Sequence, residues 1–327
     1  MAVDTLPAPP PETLSGGQRP PGVVSDRLFR WLALAAGLMV LVVLGLIIYT
    51  TTSQSLTWFR AEGLNTIFDD NWVPSAHHFG AAGLIYGTLI VAVIALVIAV
   101  PVSVGIALFV TEVAPGRIRR PIVYTIDLLA AVPSVVFGLW ALRVLETPLA
   151  DIYSSVSKAT SGIPIVGDVF ANPNPSGASF MTAGIVVAIM ITPIITAITR
   201  EVYATCPASQ KEAALALGAT RWEMIRGSVF PHSRSGVAAA VIIGFGRAVG
   251  ETISVALIIG SSQRLTEQIL GPGDTMASVI ANQFGEASGT QRSALIGLGV
   301  VLLALTVVIG VIARTILARS ERRLGAA

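Results

Sequence analysis

The residues best suited to chemistry are Arg247 and Glu251, which lie inside an otherwise apolar stretch at residues 237–259. A spacing of four residues puts both side chains on one face of a helix, where they can form an ion pair. An arginine at the centre of a bilayer costs about 2.5–3.5 kcal/mol, so this face must contact protein or water rather than lipid. A planar guanidinium also binds an oxyanion through two parallel hydrogen bonds. Two interpretations stay open: a structural ion pair between helices, or a charged face that lines a transport pathway with Thr252.

Two glycines, Gly246 and Gly250, accompany these charges in the same stretch. Small residues four positions apart let the backbone of a second helix approach closely. The spacing therefore predicts that another helix packs directly beside the charged residues.

A second stretch of interest is the long polar segment at residues 209–231, which interrupts the apolar sequence. Glu212, Ala213 and Ala214 open a run of strong helix formers, and Gly218 supplies a helix stop. A second helical run is expected from about Ala219, ending at Pro231. The segment is thus predicted to form two short helices around a glycine corner. By spacing alone it is either an ordinary helical hairpin or a docking element for a partner.

The composition indicates a membrane protein. Of the 327 residues, 53% are hydrophobic and 12% are charged, and the mean hydropathy is +0.76. A soluble domain of this size would lack the polar surface needed to cover such a core. The single cysteine excludes an intramolecular disulfide, and the three histidines show no metal-ligand spacing. We expect no cofactor and no metal in this chain, contact with membrane lipid, and no nucleic-acid partner.

Residues 1–26 form a polar, proline-rich tail that is predicted to be disordered. Its residues 14–19, Leu-Ser-Gly-Gly-Gln-Arg, match the signature of ABC ATPase subunits. They stand between prolines, and the sequence contains no phosphate-binding loop of the form G-x-x-x-x-G-K-[ST]. We interpret the match as coincidence, so ATP and Mg must bind to another polypeptide.

The rest of the chain, residues 27–327, is predicted to be all-α, with six membrane-spanning helices and a cytoplasmic loop at 200–236. The predicted spans are residues 31–50, 82–110, 122–142, 180–199, 237–259 and 294–316. Prolines 101, 133 and 193 lie inside three of these spans, where prolines usually only kink a helix. Residues 51–79 and 143–179 are predicted to be outer loops.

Lysine and arginine residues set the orientation of such a protein. With both termini in the cytoplasm, the inner segments hold fifteen of these residues and the outer loops hold five. This places the Glu212 segment in the cytoplasm, within reach of a cytoplasmic ATPase.

Four motifs together resemble a known family. The pattern from Glu212 to Gly218, ending at Phe230-Pro231, resembles the coupling loop of ABC importer permeases. Residues 131–140, AVPSVVFGLW, and residues 191–202 look like motifs of phosphate-importer permeases. The run from Gly246 to Thr252, GRAVGET, is the most discriminating, and it is more similar to the PstC-type subunit than to its PstA-type partner. The resemblance covers residues 80–317.

The resemblance implies the type I ABC importer permease fold and a non-catalytic subunit of a phosphate importer in the bacterial cytoplasmic membrane. A second homologous permease, a dimer of ATPase subunits and an extracytoplasmic phosphate-binding protein would be its partners. Glu212, Ala213, Ala214 and Gly218 would contact the ATPase, while Arg247, Glu251 and Thr252 would line the pathway. Two alternatives remain: an ABC permease for another oxyanion such as sulfate or molybdate, and a secondary transporter or channel that uses no ATP.

Overall fold

Long apolar helices dominate the chain. The structure, a computed structural model, describes residues 23–263 and 266–324, with side chains at 27–263 and 266–319. Within that part of the chain, four helical runs are long and apolar enough to cross a membrane alone: Arg27–Glu62, Ala82–Val113, Phe180–Ala204 and Gly289–Arg319. A fifth crossing is counted if a strongly bent helix pair is one span. The predicted tail up to residue 22, with the ATPase-like run at 14–19, lies outside the described residues.

The first helix and the outer hairpin precede the central bundle. Helix α1, Val23–Glu62, begins before the predicted end of the tail and continues twelve residues beyond the predicted span. A short 3₁₀ turn and two strands follow, β1 (Trp72–Val73) and β2 (His78–Phe79), paired antiparallel with Trp72 opposite Phe79. The predicted outer loop is therefore partly structured. The chain divides into two compact units, with the boundary between residues 50 and 51. The packing described below is that of the second unit.

Helices α2 (Ala82–Leu108) and α7 (Phe180–Ala204) form the centre of the bundle, and both predicted spans are confirmed. The branched side chain of Ile94 on α2 fills the space beside Gly184 of α7, where any Cβ would collide. Pro101 and Pro193 lie inside these helices without ending them. Near both prolines, the Ser103 hydroxyl donates to the Thr192 carbonyl across the pair, at 3.0 Å. The pairing of α2 with α7 thus holds two proline-containing helices in helical form.

The third predicted span is bent rather than continuous. Helix α3, Gly116–Ala131, ends before Pro133, where Val132 and Pro133 adopt extended conformations. A residue before proline is disfavoured in the helical region, which explains the break. The chain then forms α4 (Ser134–Trp140), a π-helical turn and α5 (Glu146–Thr160), at 92° to α3. Much of the predicted loop at 143–179 is therefore helical, including a single turn, α6, at Val166–Val169.

The polar segment forms helices α8 (Ala208–Ala216) and α9 (Arg221–Met224) around Gly218, as predicted. Contrary to the prediction, the second run does not end at Pro231. It passes through a π-helical turn at Ile225–Val229 and continues as α10, Phe230–Val249. Proline cannot donate to the carbonyl four residues earlier and clashes with it in an α-helix. The wider turn directly before the proline relieves that conflict, so the helix continues.

The fifth predicted span is broken. Helix α10 ends at Val249, and after three residues the chain forms α11, Ile253–Ile258. The remaining helices are α12 (Met276–Gln283) and α13 (Gly289–Leu324), and α13 contains the sixth predicted span. By length and composition the described residues contain four or five candidate spans, and the predicted count of six is not exactly confirmed, because the third and fifth predicted spans are each made of shorter helices.

The buried side chains form three groups along the bundle. The largest lies between α2, α7, α10 and α11 and includes Val187, Ile191 and Ile258. A second, around Trp58 and Leu298, joins the end of α1 to the hairpin, α12 and α13. The third lies where α2 and α7 meet α8 and α9, and it is centred on Tyr203 and Val229. The third group fixes the polar segment to the bundle.

Candidate functional site

The corner at Gly218 has the geometry that a left-handed helix stop requires. Gly218 has φ +84°, which costs other residues steric strain. Its N–H donates to the Leu215 carbonyl at 3.0 Å, and the Ala219 N–H donates to the Ala214 carbonyl at 3.2 Å. These two bonds form a Schellman motif that satisfies the last carbonyls of α8. The prediction that Gly218 stops this helix is confirmed.

Helix α9 begins with a capping box. The Thr220 hydroxyl accepts from the Glu223 N–H at 3.3 Å, and the Glu223 carboxylate accepts from the Thr220 N–H at 2.8 Å. The N–H and the hydroxyl of Thr220 both stabilise the charged form, so the pKa of the Glu223 carboxyl lies below its usual value. Reading the sequence Thr-x-x-Glu at 220–223 as a capping box would have located this helix start. Together the stop and the cap fix the angle between α8 and α9.

The outward face of α8 and α9 exposes large apolar side chains. Leu217 is 90% exposed, Trp222 is 57% exposed and Leu215 is 47% exposed. Glu212 and Ala213 are exposed beside them, whereas Ala214 packs against the Tyr203 group. We call the exposed set, Glu212, Ala213, Leu215, Leu217 and Trp222, the coupling surface. An exposed apolar patch rimmed by polar groups is typical of a protein interaction site.

An ion pair anchors this surface to the bundle. The Lys211 ammonium on α8 lies 2.5 Å from a carboxylate oxygen of Glu112, in the π-helical turn Phe109–Val113 at the end of α2. The Glu112 side chain is only 8% exposed and that of Lys211 is 21% exposed. Sequence reasoning did not identify this pair, because 99 residues separate its members.

The charged stretch in the fifth predicted span differs from the expectation. Arg247 is in the last turn of α10, whereas Glu251 follows the helix end, so they do not share a helix face. Their side chains form no ion pair. Arg247 is exposed and makes no side-chain hydrogen bond or ion pair within the described residues. Glu251 is 7% exposed. The expected Arg247–Glu251 pair is therefore wrong for this structure.

Glu251 instead faces a serine network. Ser254 Oγ lies 3.2 Å from a carboxylate oxygen of Glu251 and 2.6 Å from the carbonyl oxygen of Ser134, which it bonds as a donor. A Cβ on Gly138 would lie 2.8 Å from the Ser254 Cα, so only glycine permits this contact between α4 and α11. The Thr252 hydroxyl donates to the Gly250 carbonyl at 3.1 Å. The structure thus joins two of the motifs found in the sequence, residues 131–140 and 246–252.

No second helix packs against the two glycines beside Arg247 within the described residues. The space around Gly246 is open to at least 4 Å, and Gly250 faces only carbonyls of its own chain. The close approach is at Gly244, where the Ile195 side chain of α7 fills the position that a Cβ would take. The expected packing at Gly246 and Gly250 is therefore wrong, and the close approach lies two residues before Gly246.

No group of three or more histidine, cysteine, aspartate or glutamate side chains that could hold a metal ion is present in the part of the chain that the structure describes. The sequence-predicted residues therefore form two separate features, the coupling surface and the Arg247–Thr252 segment. Sequence reasoning missed Ser134, Ser254 and Glu112, whose roles depend on distant parts of the chain.

Residues 99–326 match the family described as binding-protein-dependent transport system inner membrane component. Curated relatives are similar over nearly the whole chain. A protein of Xylella fastidiosa named phosphate transport system permease protein PstC is 42% identical over 323 residues, covering 97% of this chain and 98% of that protein. The protein of the same name from Mesorhizobium japonicum is 39% identical over 305 residues, covering 93% of each chain.

Two solved structures support the fold. A bacterial alginate ABC transporter in complex with an alginate-bound periplasmic protein superposes with a TM-score of 0.60 at 16% identity, covering 89% of this chain and 96% of that one. A bacterial ABC transporter involved in alginate import gives 0.56 at 17% identity, covering 91% and 98%. At such low identity these matches establish the fold alone, that of an ABC importer permease.

Proposed function

Because this chain belongs to the binding-protein-dependent transport system inner membrane component family, we propose that it is the PstC-type permease subunit of an ABC importer. It forms part of the pathway for inorganic phosphate across the bacterial cytoplasmic membrane. The similarity to proteins named phosphate transport system permease protein PstC, over 92–97% of this chain in four of them, supports the substrate.

The observation that carries the proposal is the exposed, unpaired guanidinium of Arg247 next to a helix break in the fifth predicted span. An arginine at this depth must face protein or water. Phosphate is an oxyanion that a guanidinium binds through two hydrogen bonds. With no carboxylate paired to it among the described residues, the charge of Arg247 is available to a passing anion.

Glu251 and Thr252 have a different role in this proposal. Glu251 is directed toward Ser254, so it does not neutralise Arg247 but stabilises the turn that ends α10. Thr252 follows in the same turn and is partly exposed. The break places Arg247 at a helix end, where its long side chain can reach an ion without moving the bundle.

Energy comes from partner subunits in this proposal. This chain is non-catalytic, and a separate ATPase dimer binds ATP and Mg and docks onto the coupling surface, next to the Gly218 corner. A second homologous permease completes the pathway, and an extracytoplasmic phosphate-binding protein delivers the substrate. The distribution of lysine and arginine supports both termini and the coupling surface being cytoplasmic.

Phosphate uptake by Arg247 variants tests the proposal. Arg247→Gln should assemble in normal yield but reduce uptake of ³²P-phosphate roughly tenfold or more, which corresponds to about 1.4 kcal/mol of lost transition-state stabilisation. Arg247→Lys should also be impaired, because an ammonium keeps the charge but loses the planar fork. Arg234→Gln, on the same helix before the predicted span, is the matched control and should transport normally.

Four results would contradict the proposal. Normal uptake in Arg247→Gln, or recovery of uptake on adding Glu251→Gln, would return these residues to a structural role. Equal competition by sulfate or molybdate would point to a different oxyanion. Uptake that continues without ATP would identify an uncoupled transporter or channel.

A further inference from the structure

A basic cleft lies at the end of the bundle that carries the coupling surface. It has a volume of about 720 Å³ and lies between α3 and the end of α7. Its lining residues are Gly116, Arg119, Arg120, Val123 and Tyr124 of α3, and Arg200 and Glu201 of α7. The spacing of the five residues on α3 puts them all on one face of that helix. Three guanidinium groups and one carboxylate therefore share a single cleft.

Arg200 differs from an arginine that only reaches into water at a membrane surface. Its side chain is 17% exposed, whereas the side chain of Glu201, its ion-pair partner at 3.1 Å, is 72% exposed. A guanidinium has five N–H donors, and the bond to Glu201 is the only side-chain hydrogen bond of Arg200 within the described residues. Its other nitrogen atoms are not sealed from solvent, so they are accessible to a group in the cleft.

The wall formed by α3 adds two guanidinium groups without a partner. The side chains of Arg119 and Arg120 are exposed and make no hydrogen bond or ion pair within the described residues. Asp127, two turns further along α3, is exposed and pairs with neither of them. The guanidinium groups lining the cleft thus exceed its carboxylates by two charges, which favours a dianion.

The cleft lies at a different depth from the proposed pathway residue Arg247. Helices α7 and α10 are antiparallel, and Gly244 of α10 lies against Ile195 of α7. Arg200 is five residues beyond Ile195 along α7, whereas Arg247 is three residues beyond Gly244 in the opposite direction. At a rise of 1.5 Å per residue, the two arginines differ in depth by roughly 12 Å. The cleft is therefore a second anion site rather than part of the Arg247 segment.

We propose that this cleft binds a phosphate group, which Arg119, Arg120 and Arg200 hold between α3 and α7. Guanidinium groups bind phosphate oxygens through paired hydrogen bonds. No described side chain caps the N-terminus of α3 at Gly116, so its N–H groups add positive partial charge beside the arginines. On the side that the proposed orientation makes cytoplasmic, this chemistry has two sources: inorganic phosphate and the headgroup of an anionic phospholipid. The site does not require that Arg247 binds the substrate, so the two can be tested independently.

Binding to the complex of permease and ATPase subunits, without the binding protein, tests the site. The complex carries Arg247→Gln, which removes the pathway contribution, and is placed in nanodiscs of phosphatidylcholine with or without phosphatidylglycerol. Equilibrium binding of ³²P-phosphate is measured without phosphatidylglycerol, and preferential retention of phosphatidylglycerol is measured by native mass spectrometry. We expect this parent complex to bind one of the two probes. Arg119→Gln with Arg120→Gln should weaken that binding about tenfold or more. Arg117→Gln, at a neighbouring arginine outside the cleft, is the matched control and should bind as the parent does.

Two further variants separate a phosphate site from a merely positive surface. The carboxylate of Glu201 competes with a phosphate for Arg200, so Glu201→Gln should tighten binding about threefold without adding a basic group. Arg119→Lys with Arg120→Lys keeps the charge that supports the membrane orientation but loses the planar forks. This variant should assemble in normal yield and bind about threefold more weakly than the parent.

The two sources of phosphate give different results. Weaker ³²P-phosphate binding in the double glutamine variant would identify inorganic phosphate, whereas loss of phosphatidylglycerol retention alone would identify a lipid headgroup. Failure of both probes to bind the parent, or unchanged binding of both in the double glutamine variant, would overturn the proposal. So would an equal loss in Arg117→Gln or undiminished binding in the double lysine variant, since either would indicate general surface charge. Loss of the ATPase subunit from the double glutamine variant, with both probes still bound, would overturn it in favour of a protein contact.

Discussion

At the scale of single residues, two buried carboxylates lie within hydrogen-bond distance of serine hydroxyls and pair with no cation among the described residues. Glu251 has Ser254 as its partner, and Asp274 accepts from Ser261 at 3.3 Å and from Ser278 at 3.1 Å. A hydroxyl donor compensates a buried negative charge only in part. Asp274, which accepts from both of its serines and lies outside the membrane-spanning helices, offers a measurable case.

Burial raises the pKa of Asp274 from 3.8 to about 6, an effect that the two serine hydroxyls only partly oppose. The folded protein thus holds a proton on Asp274 at pH values where the unfolded chain has released it. The free energy of unfolding must then fall as the pH rises from about 4 to 6, and stay lower above pH 6. At 1.4 kcal/mol per pKa unit, the contribution is at most about 3 kcal/mol.

Asp274→Asn should remove this pH dependence, because the amide stays neutral and can still bond both serines. Thermal unfolding of the purified complex between pH 4 and 7 measures how stability depends on pH in wild type and variant. Relative to wild type, the variant should gain stability as the pH rises. Asp168→Asn, at an exposed carboxylate in α6, is the control and should parallel wild type. Parallel curves for wild type and Asp274→Asn would show that Asp274 is not protonated in the folded state.

At the scale of elements, the proline residues show what local sequence can and cannot predict. α3 ends before Pro133, and the chain bends there by 92°. Pro101 and Pro193, in contrast, lie inside continuous helices. At Pro231 the helix also continues, because a π-helical turn precedes the proline. All four have the same local preferences. What differs is the packing around them: α2 and α7 pair along their length, and a widened turn precedes Pro231.

The elements that could be predicted from the sequence are helices made of long apolar runs and a helix end marked by a glycine. The apolar runs of α2, α7 and α13 and the stop at Gly218 are confirmed. The break after Val249 was not predicted, because the apolar run continues beyond it to Ile259. Its stabilising contact, from Ser254 to the Ser134 carbonyl, joins residues 120 positions apart. The sequence therefore singled out residues 246–252 as a candidate site but did not predict the internal geometry of that segment.

The Gly218 corner carries a prediction at the element scale. Gly218→Val should strain the corner by about 1–2 kcal/mol, because a β-branched residue opposes a left-handed conformation. We expect ATP hydrolysis to become partly uncoupled from phosphate uptake, as the angle between α8 and α9 relaxes while the membrane helices remain folded. Gly218→Asn is the matched control, since asparagine tolerates positive φ. The readouts are co-purification of the ATPase subunit and phosphate transported per ATP. Equal values for both variants would argue against a role for the corner.

At the scale of the whole molecule, the coupling surface and the central helices are mechanically connected. The Tyr203 group links α8 and α9 to α2 and α7, and the Lys211–Glu112 ion pair joins the same elements by charge. From α9 the chain continues without a helix end through the π-helical turn into α10, whose last turn contains Arg247. Movement at the coupling surface thus has two direct routes to the proposed pathway, one through α10 and one through α2.

The ion pair allows the α2 route to be tested alone. Lys211→Gln leaves the nearly buried Glu112 carboxylate without a partner, and Glu112→Gln leaves Lys211 without one. Exposed ion pairs contribute about 0–1 kcal/mol to stability, and breaking a buried one costs about 3–5 kcal/mol, so breaking this partly buried pair should cost roughly 1–3 kcal/mol.

We expect each variant to lower phosphate transported per ATP, with the ATPase subunit still bound. Reversing both charges, by Lys211→Glu with Glu112→Lys, should restore much of the ratio, because the attraction is re-formed. Lys158→Gln, at an exposed lysine that forms no ion pair within the described residues, should leave the ratio unchanged. If the reversed pair behaves no better than the single variants, the ion pair is not what connects α8 to α2, and the continuous path from α9 into α10 remains as the route of coupling.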